Sequence, residues 1–202
     1  MLVEVMGRYA GWLALGSGLA GGGDIILLPE LPYDIGAVCD HIKLRNSMGK
    51  KFSIVVVGEG AKPHGGEMVV KRKVENSPDA VRLGGISHQV GAQIEGLLSM
   101  ETRVTVLGHL LRGGSPTARD RMLATSYGVE AAKMAMRGEH NRMVALRDNS
   151  ISSIPIEDVA GKIRKVTPDH RWVKAAQALG LSLGVAEDLE LAELAELAES
   201  KK

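Results

Sequence analysis

Aromatic side chains make up only 3% of this sequence, and Phe52 is its single phenylalanine. Any core built from it must be aliphatic. Cysteine occurs once, at Cys39, which excludes an internal disulfide and any multi-cysteine metal cluster. Neither sign of charge is in excess: 25 Lys and Arg face 24 Asp and Glu, a net charge of +1. That balance gives no electrostatic footprint for nucleic acid or an anionic membrane. No apolar run reaches the roughly 18–20 residues a membrane span needs, because glycines and charges interrupt each candidate. No signal peptide is recognisable, so the expected compartment is the cytoplasm. No Gly-x-Ser-x-Gly elbow and no Gly-Lys-Ser/Thr phosphate loop is present.

What is present is globular in bulk. Hydrophobic residues are 45% and charged residues 24% of 202, enough to bury a core without staples. Glycine stands out, at 25 of 202 or about 12% against a background of about 7%. Without low complexity, that excess points to tight turns and to places where backbone approaches a ligand.

Along the chain, apolar runs alternate with helical periodicity. Leu2 to Met6 reads as a buried strand, and Ala10 to Leu19 as a helix stopped by Gly21-Gly22-Gly23. Asp24 to Pro29 reads as a second buried strand, Ile35 to Met48 as an amphipathic helix and Phe52 to Val57 as a β-branched strand buried on both faces. A glycine-rich stretch, Gly58 to Glu67, precedes the ambiguous Val81 to Ile86. Ser87 to Leu98 reads as a helix capped by Ser87, and Arg103 to Leu107 as another buried strand. Ser115 before Pro116 fits the cap of a long helix that Gly138 ends. Arg142 to Leu146 reads as a last strand, and Ile156 to Val166 and His170 to Leu179 as helices. The expected fold is therefore α/β: a mostly parallel sheet with helices on both faces, three-layered and Rossmann-like. Residues 1–180 read as one domain and 181–202 as a helical tail, built on a Leu-Ala-Glu repeat of high helix propensity.

Ligands of open parallel sheets bind beyond the carboxyl ends of the strands. Three such places combine glycine with chemistry: Met6-Gly7-Arg8, Gly58-Glu59-Gly60 and Gly108-His109-Leu110-Leu111-Arg112. Arg8, His109 and Arg112 suit an anion, and Glu59 suits hydroxyl groups. A phosphorylated sugar needs both, since guanidinium pairs with phosphate bidentately and carboxylate accepts from hydroxyls. Arg103 opens the strand that His109 follows, and six extended residues at about 3.3 Å each separate the two by roughly 20 Å. Both can serve one phosphate only if the site is shared between subunits. Other signals are discounted. The Gly16-x-Gly18-x-x-Gly21 pattern lies within a helix, and His41, His64, His88, His140 and His170 lack metal-ligand spacing. Met122, Met134, Met136 and Met143 read as core filler, as does Cys39.

The run from Arg103 to Arg121, with Gly108-His109-Leu110-Leu111-Arg112-Gly113-Gly114 at its centre, resembles the signature of the 6-phosphofructokinases. Glu4 to Trp12, Gly22 to Glu30 and Val55 to Gly60 resemble further blocks of that family, in the same order. The resemblance covers residues 2 to 180. It implies phosphoryl transfer from ATP or pyrophosphate to the 1-hydroxyl of fructose 6-phosphate, a step of glycolysis, with Mg²⁺. It implies that Met6, Gly7 and Arg8 line the active site, Arg8 facing the transferring group. Glu59 and Arg112 would hold the sugar phosphate, with Leu110 and Leu111 beside them. His109 would bind the 6-phosphate, joined by Arg103 from a neighbouring subunit of a homo-oligomer. More weakly, it places Asp24 and Lys50 at a regulatory site. Nothing here matches the family's Gly-Gly-Asp followed by its Thr-Ile-Asp-Asn-Asp block. Those blocks supply the donor loop, the Mg²⁺ ligands and the base. The expectation is thus the sugar-phosphate half of such an enzyme, completed by a separate N-terminal half. A non-catalytic sugar-phosphate-binding module and an inactive remnant are the alternatives.

Overall fold

The computed structural model describes residues 1–73, 75 and 81–186. These fall into two compact units, the first comprising Met1–Leu111 with the chain from Lys165 onward, the second Arg112–Arg164.

The first unit is built on four strands, β1 (Leu2–Val5), β2 (Ile25–Leu27), β3 (Val55–Gly58) and β6 (Val104–Val106). They pair in the order β2-β3-β1-β6, all parallel, with Leu2 opposite both Val55 and Val104. Helices α1 (Trp12–Ala20), α2 (Ile35–Ser47), α3 (Ile86–Leu98) and α5 (Arg171–Ala178) cover it. Side chains of a strand alternate between faces, and the two cores obey that period. Leu2, Ile25, Leu27, Val55 and Val57 pack with Val38, Cys39 and Ile42 of α2 and Ile86, Val90 and Ile94 of α3. Val5, Ile26, Leu28 and Val56 pack on the other face with Leu15 of α1 and Val173 of α5. Each such aliphatic side chain contributes about 1.5–3 kcal/mol on burial. The three-layer α/β architecture follows from this pattern, and the core is aliphatic, with Tyr33 its one large aromatic among the described residues.

Several local expectations are corrected. Phe52 is 68% exposed, and β3 begins three residues later, at Val55. The strand at Val104–Val106 is an edge, not a buried strand, so Val106 is exposed. The ambiguous segment is β5 (Val81–Leu83), which pairs antiparallel with β4 (Val70–Lys73), a strand with no periodic apolar signal. Ser87 does not cap α3. Gly85 is its N-cap, at φ 91°, and the capping oxygens come from Glu4 on β1: Gly85 N donates at 2.9 Å, and Ser87 N at 3.0 Å and Ser87 Oγ at 2.6 Å also donate.

The second unit carries α4 (Ala118–Met136), β7 (Arg142–Arg147) and β8 (Ser150–Pro155). Its helix is capped by Thr117, not Ser115, in a reciprocal box with Asp120. Gly138, at φ 71°, follows its end. The strand expected at Arg142 to Leu146 forms an antiparallel hairpin with β8 instead of joining the parallel sheet. Its two-residue turn is Asp148-Asn149, both left-handed, at φ 47° and 62°, as the right-handed strand twist demands. Only Ile156–Asp158 of the helix expected to Val166 forms, as a short 3-10 turn. Met134 is buried, but Met122, Met136 and Met143 are exposed, so the methionines are not core filler as a group.

After α5, Ser182 bridges Ile25 in parallel, Leu183 is buried and Gly184 turns at φ 74°. From residue 187 the expected helical tail lies outside the described residues. No helix among the described residues is long and apolar enough to cross a membrane.

Candidate functional site

Because β1, β2, β3 and β6 are parallel, their carboxyl ends meet one edge of the sheet. The segments that follow them are Met6–Gly11, Leu28–Leu31, Glu59–Ala61 and Leu107–Leu111. β1, β2 and β3 are fixed by the two cores, so the first three of these segments are rigidly backed.

The Met6–Gly11 loop is the most constrained of them. Glu59 Oε1 accepts from Gly7 N at 3.1 Å and from Arg8 N at 2.9 Å. Ala10 N donates to Gly7 O at 3.1 Å, closing a turn. Arg8 is left in the left-handed region at φ 52°, a conformation that costs a non-glycine residue about 1–2 kcal/mol. Gly60 must lack a side chain: a Cβ there would collide with the Arg8 carbonyl oxygen. Gly7, at φ 155°, likewise leaves no room, since a Cβ would lie 2.7 Å from Ala10 O. Arg8 itself is exposed, and Met6 and Glu59 are half-buried.

Beyond β6, Leu107 N donates to Glu4 O at 3.0 Å, continuing the β1 pairing, and Leu110 N donates to Leu107 O at 3.0 Å. A 3-10 turn, Gly108–Arg112, results. His109, Leu110 and Leu111 on it are exposed. Arg112 ends the turn and opens the second unit, where it too is exposed.

The remaining candidates sit at the opposite, amino edge. Arg103 precedes β6, and its guanidinium pairs with Glu101 at 2.5 Å in an exposed setting. Asp24 precedes β2; its carboxylate pairs with Arg45 at 2.7 Å and accepts from Ile54 N at 2.7 Å. Lys50, exposed, follows α2, its amide bonded to Arg45 O. Met6, Gly7, Arg8, Glu59, His109, Leu110 and Leu111 thus share one edge of the first unit, and Arg103, Asp24 and Lys50 share the other.

Among the described residues no three His, Cys, Asp or Glu side chains gather where they could hold a metal ion.

One residue of this edge was given no role from the sequence. Glu30, at the end of the β2 turn, accepts from Gly11 N at 3.0 and 3.1 Å and from Val166 N at 2.9 Å. Its sequence signals are its place at the end of the Gly22–Glu30 block and beside Pro29, just past a strand end.

Comparison with known proteins matches this organisation. An ATP-dependent 6-phosphofructokinase 2 from Clostridium perfringens is 48% identical over 183 residues, 90% of this chain and 50% of its own length. An ATP-dependent 6-phosphofructokinase from Chloroflexus aurantiacus is 47% identical over 185 residues, 91% of this chain and 50% of its own. The chain therefore spans about half the length of these curated relatives. Among solved structures, the phosphofructokinase of Pichia pastoris superimposes with a TM-score of 0.63 and 31% identity, over 95% of this chain and 20% of that one. A pyrophosphate-dependent phosphofructokinase from Marinobacter aquaeolei shares the fold at a TM-score of 0.66 and 20% identity, over 95% of this chain and 46% of its own. With residues 1–135 matching the model of the phosphofructokinase family, this chain belongs to that family.

Proposed function

We propose that this chain is the sugar-phosphate side of a 6-phosphofructokinase, binding fructose 6-phosphate beyond the carboxyl edge of its parallel sheet. The observation that carries the reading is the loop Met6–Gly11, pinned by Glu59 so that Arg8 stands exposed in a strained backbone conformation at that edge. Strain of this kind persists only where surrounding structure enforces it, and it concentrates at working sites.

In this reading Arg8 faces the transferring phosphoryl group, whose charge a guanidinium stabilises. Phosphoryl transfer asks little covalent chemistry of the protein and depends on positioning and charge, so a rigid loop is the right support for Arg8. Glu59 uses two of the roughly four lone-pair sites of its carboxylate on Gly7 and Arg8, leaving capacity for a sugar hydroxyl. His109 and Arg112 take the 6-phosphate, flanked by Leu110 and Leu111. Arg103, at the far edge, joins them only from a second protomer, so a homo-oligomer with shared sites is part of the proposal. The phosphate donor is ATP or pyrophosphate. Donor site, Mg²⁺ and catalytic base are assigned by the family resemblance to a complementary N-terminal half. A regulatory role for Asp24 and Lys50 is the weakest element, because Asp24 is already committed to Arg45 and Ile54. A cytoplasmic location accords with a glycolytic role.

Calorimetry with fructose 6-phosphate, fructose and inorganic phosphate tests the binding claim. The expected result is saturable binding of the ester, weaker binding of phosphate, none of fructose, and loss of the ester in Arg112→Ala with circular dichroism unchanged. Indifference to all three ligands refutes it. A coupled assay with ATP and then pyrophosphate, with a supplied N-terminal half, tests turnover.

A further inference from the structure

Both ends of the Met6–Gly11 loop are tied by carboxylates. Glu59 holds its start. Glu30 holds its end through Gly11 N, the amide of the α1 N-cap residue, where no side chain of α1 supplies a cap. A carboxylate at a helix N-terminus is favoured by the orphan N–H groups and the helix dipole. The turn that presents Glu30 is itself wedged in place. Leu31 N donates to Leu28 O, and Pro29 lies against Gly58 and Gly60, where an added Cβ would meet its ring at 3.3 and 3.2 Å. Gly11 is bare for the same reason, because a Cβ there would lie 2.8 Å from Glu30 Oε2 and 2.7 Å from Leu28 Cδ2.

The oxygen that accepts from Gly11 also accepts from Val166. Val166 is buried in the first unit's core, two residues after the second unit ends at Arg164. One carboxylate oxygen therefore joins the Arg8 loop to the segment by which the chain returns from the second unit.

We propose that Glu30 is a positioning residue for the sugar-phosphate site, transmitting the placement of the return segment at Val166 to the Arg8 loop. Glu30 touches no substrate. It fixes Gly11, and through the Ala10–Gly7 turn and Glu59 the same constraint reaches Arg8. The substrate part of this inference rests on the function proposed above, while the coupling part stands on the hydrogen bonds alone.

Two readouts on the intact chain test it. The first is the affinity for fructose 6-phosphate. Glu30→Ala is expected to weaken it about tenfold or more, the scale of loss when a reacting group is displaced by under an ångström. Glu30→Gln keeps an oxygen able to accept from both Gly11 and Val166, and is expected to stay within about threefold of the parent. The second is amide hydrogen exchange. Glu30→Ala should accelerate exchange at Gly7 and Arg8, whose amides donate to Glu59, as well as at Gly11 and Val166. If Glu30→Ala fails to fold, Glu30→Asp, one methylene too short to span both amides, replaces it. Faster exchange confined to Gly11 and Val166, with unaltered affinity, overturns the proposal, as does a Gln variant as impaired as Ala. A parent chain that binds no fructose 6-phosphate refutes the proposed function instead, and the exchange pattern still decides the coupling.

Discussion

Replacing Gly60 by Ala perturbs the site at its tightest point. Gly60 lies outside the left-handed region, so alanine meets no backbone penalty of its own. Its Cβ would instead collide with the Arg8 carbonyl oxygen, while lying 3.0 Å from the Arg8 carbonyl carbon and 3.2 Å from Pro29 Cγ. To restore an ordinary contact, one backbone must retreat by about an ångström. Gly60 lies two residues beyond β3 and is buried, whereas Arg8 is exposed, so the Arg8 peptide gives way. Overpacking of this kind costs about 1–3 kcal/mol, which in a chain of this length lowers Tm by about 2–4 °C per kcal/mol. A displacement of about an ångström in a positioning loop costs up to about 100-fold in binding or turnover. Function should therefore suffer more than stability. Calorimetry should give a fructose 6-phosphate Kd raised about 10–100-fold, and scanning calorimetry a Tm lowered by a few degrees. Gly96→Ala is the control: Gly96 is exposed in α3 with open space around its Cβ, and alanine there should add about 1 kcal/mol and leave binding alone. A Gly60→Ala protein with parental affinity would refute the claim that this contact sets the Arg8 loop.

Other perturbations separate structure from site. Glu4→Ala strips the acceptor from Gly85 N, Ser87 N and Ser87 Oγ inside the core, and denaturant unfolding should show a loss of about 3–5 kcal/mol. Arg8→Gly relieves the left-handed backbone and removes the guanidinium together, so Tm should hold or rise by a few degrees while fructose 6-phosphate binding falls; a parallel fall in both is the contrary outcome. The Asp120 carboxyl is held below its ordinary range by the hydroxyl and then the amide of Thr117. Its contribution is complete above the ordinary aspartate range, near pH 4, and disappears as pH drops through the depressed value. Asp120→Asn should therefore lie below the parent in stability at pH 6 and converge with it in strong acid.

The sheet was legible because burial on two faces leaves a plain mark. Val55-Val56-Val57 is β-branched throughout, and the glycines at 21–23 stop α1 where expected. What escaped depends on partners distant in sequence. Ser87 has the chemistry of a cap, but Glu4, 83 residues earlier, reaches the same amides with a charged group. Charge-assisted bonds are roughly twice as strong as neutral ones, so the carboxylate takes the role and Ser87 becomes its donor. At Ser115-Pro116 the competing signal was local and readable: Thr117-x-x-Asp120 allows two reciprocal bonds where serine offers one. The hairpin of β7 and β8 was signalled only by Asp148-Asn149 after an apolar run, because β8 itself reads Ser-Ile-Ser-Ser-Ile-Pro, and the helical spacing of Ile156, Val159 and Ile163 drew the reading beyond it.

The site divides along the same line. Which residues reach the edge follows from strand ends, and strand ends follow from local pattern, so Arg8, Glu59 and His109 were identifiable in advance. What each residue does there depends on register. β1 and β3 are aligned so that Val5 lies opposite Gly58, and this sets Glu59 beside Gly7 and Arg8. A slip of one residue would turn the side chains of β3 to the opposite faces and carry the carboxylate away from both amides. Register in turn is set by two aliphatic cores that fit only one alignment of Leu2 and Val5 against Val55 to Val57. The geometry of the Arg8 loop is therefore a consequence of core packing beneath it, and a core variant such as Val56→Ala is expected to speed amide exchange at Gly7 and Arg8 through the same alignment.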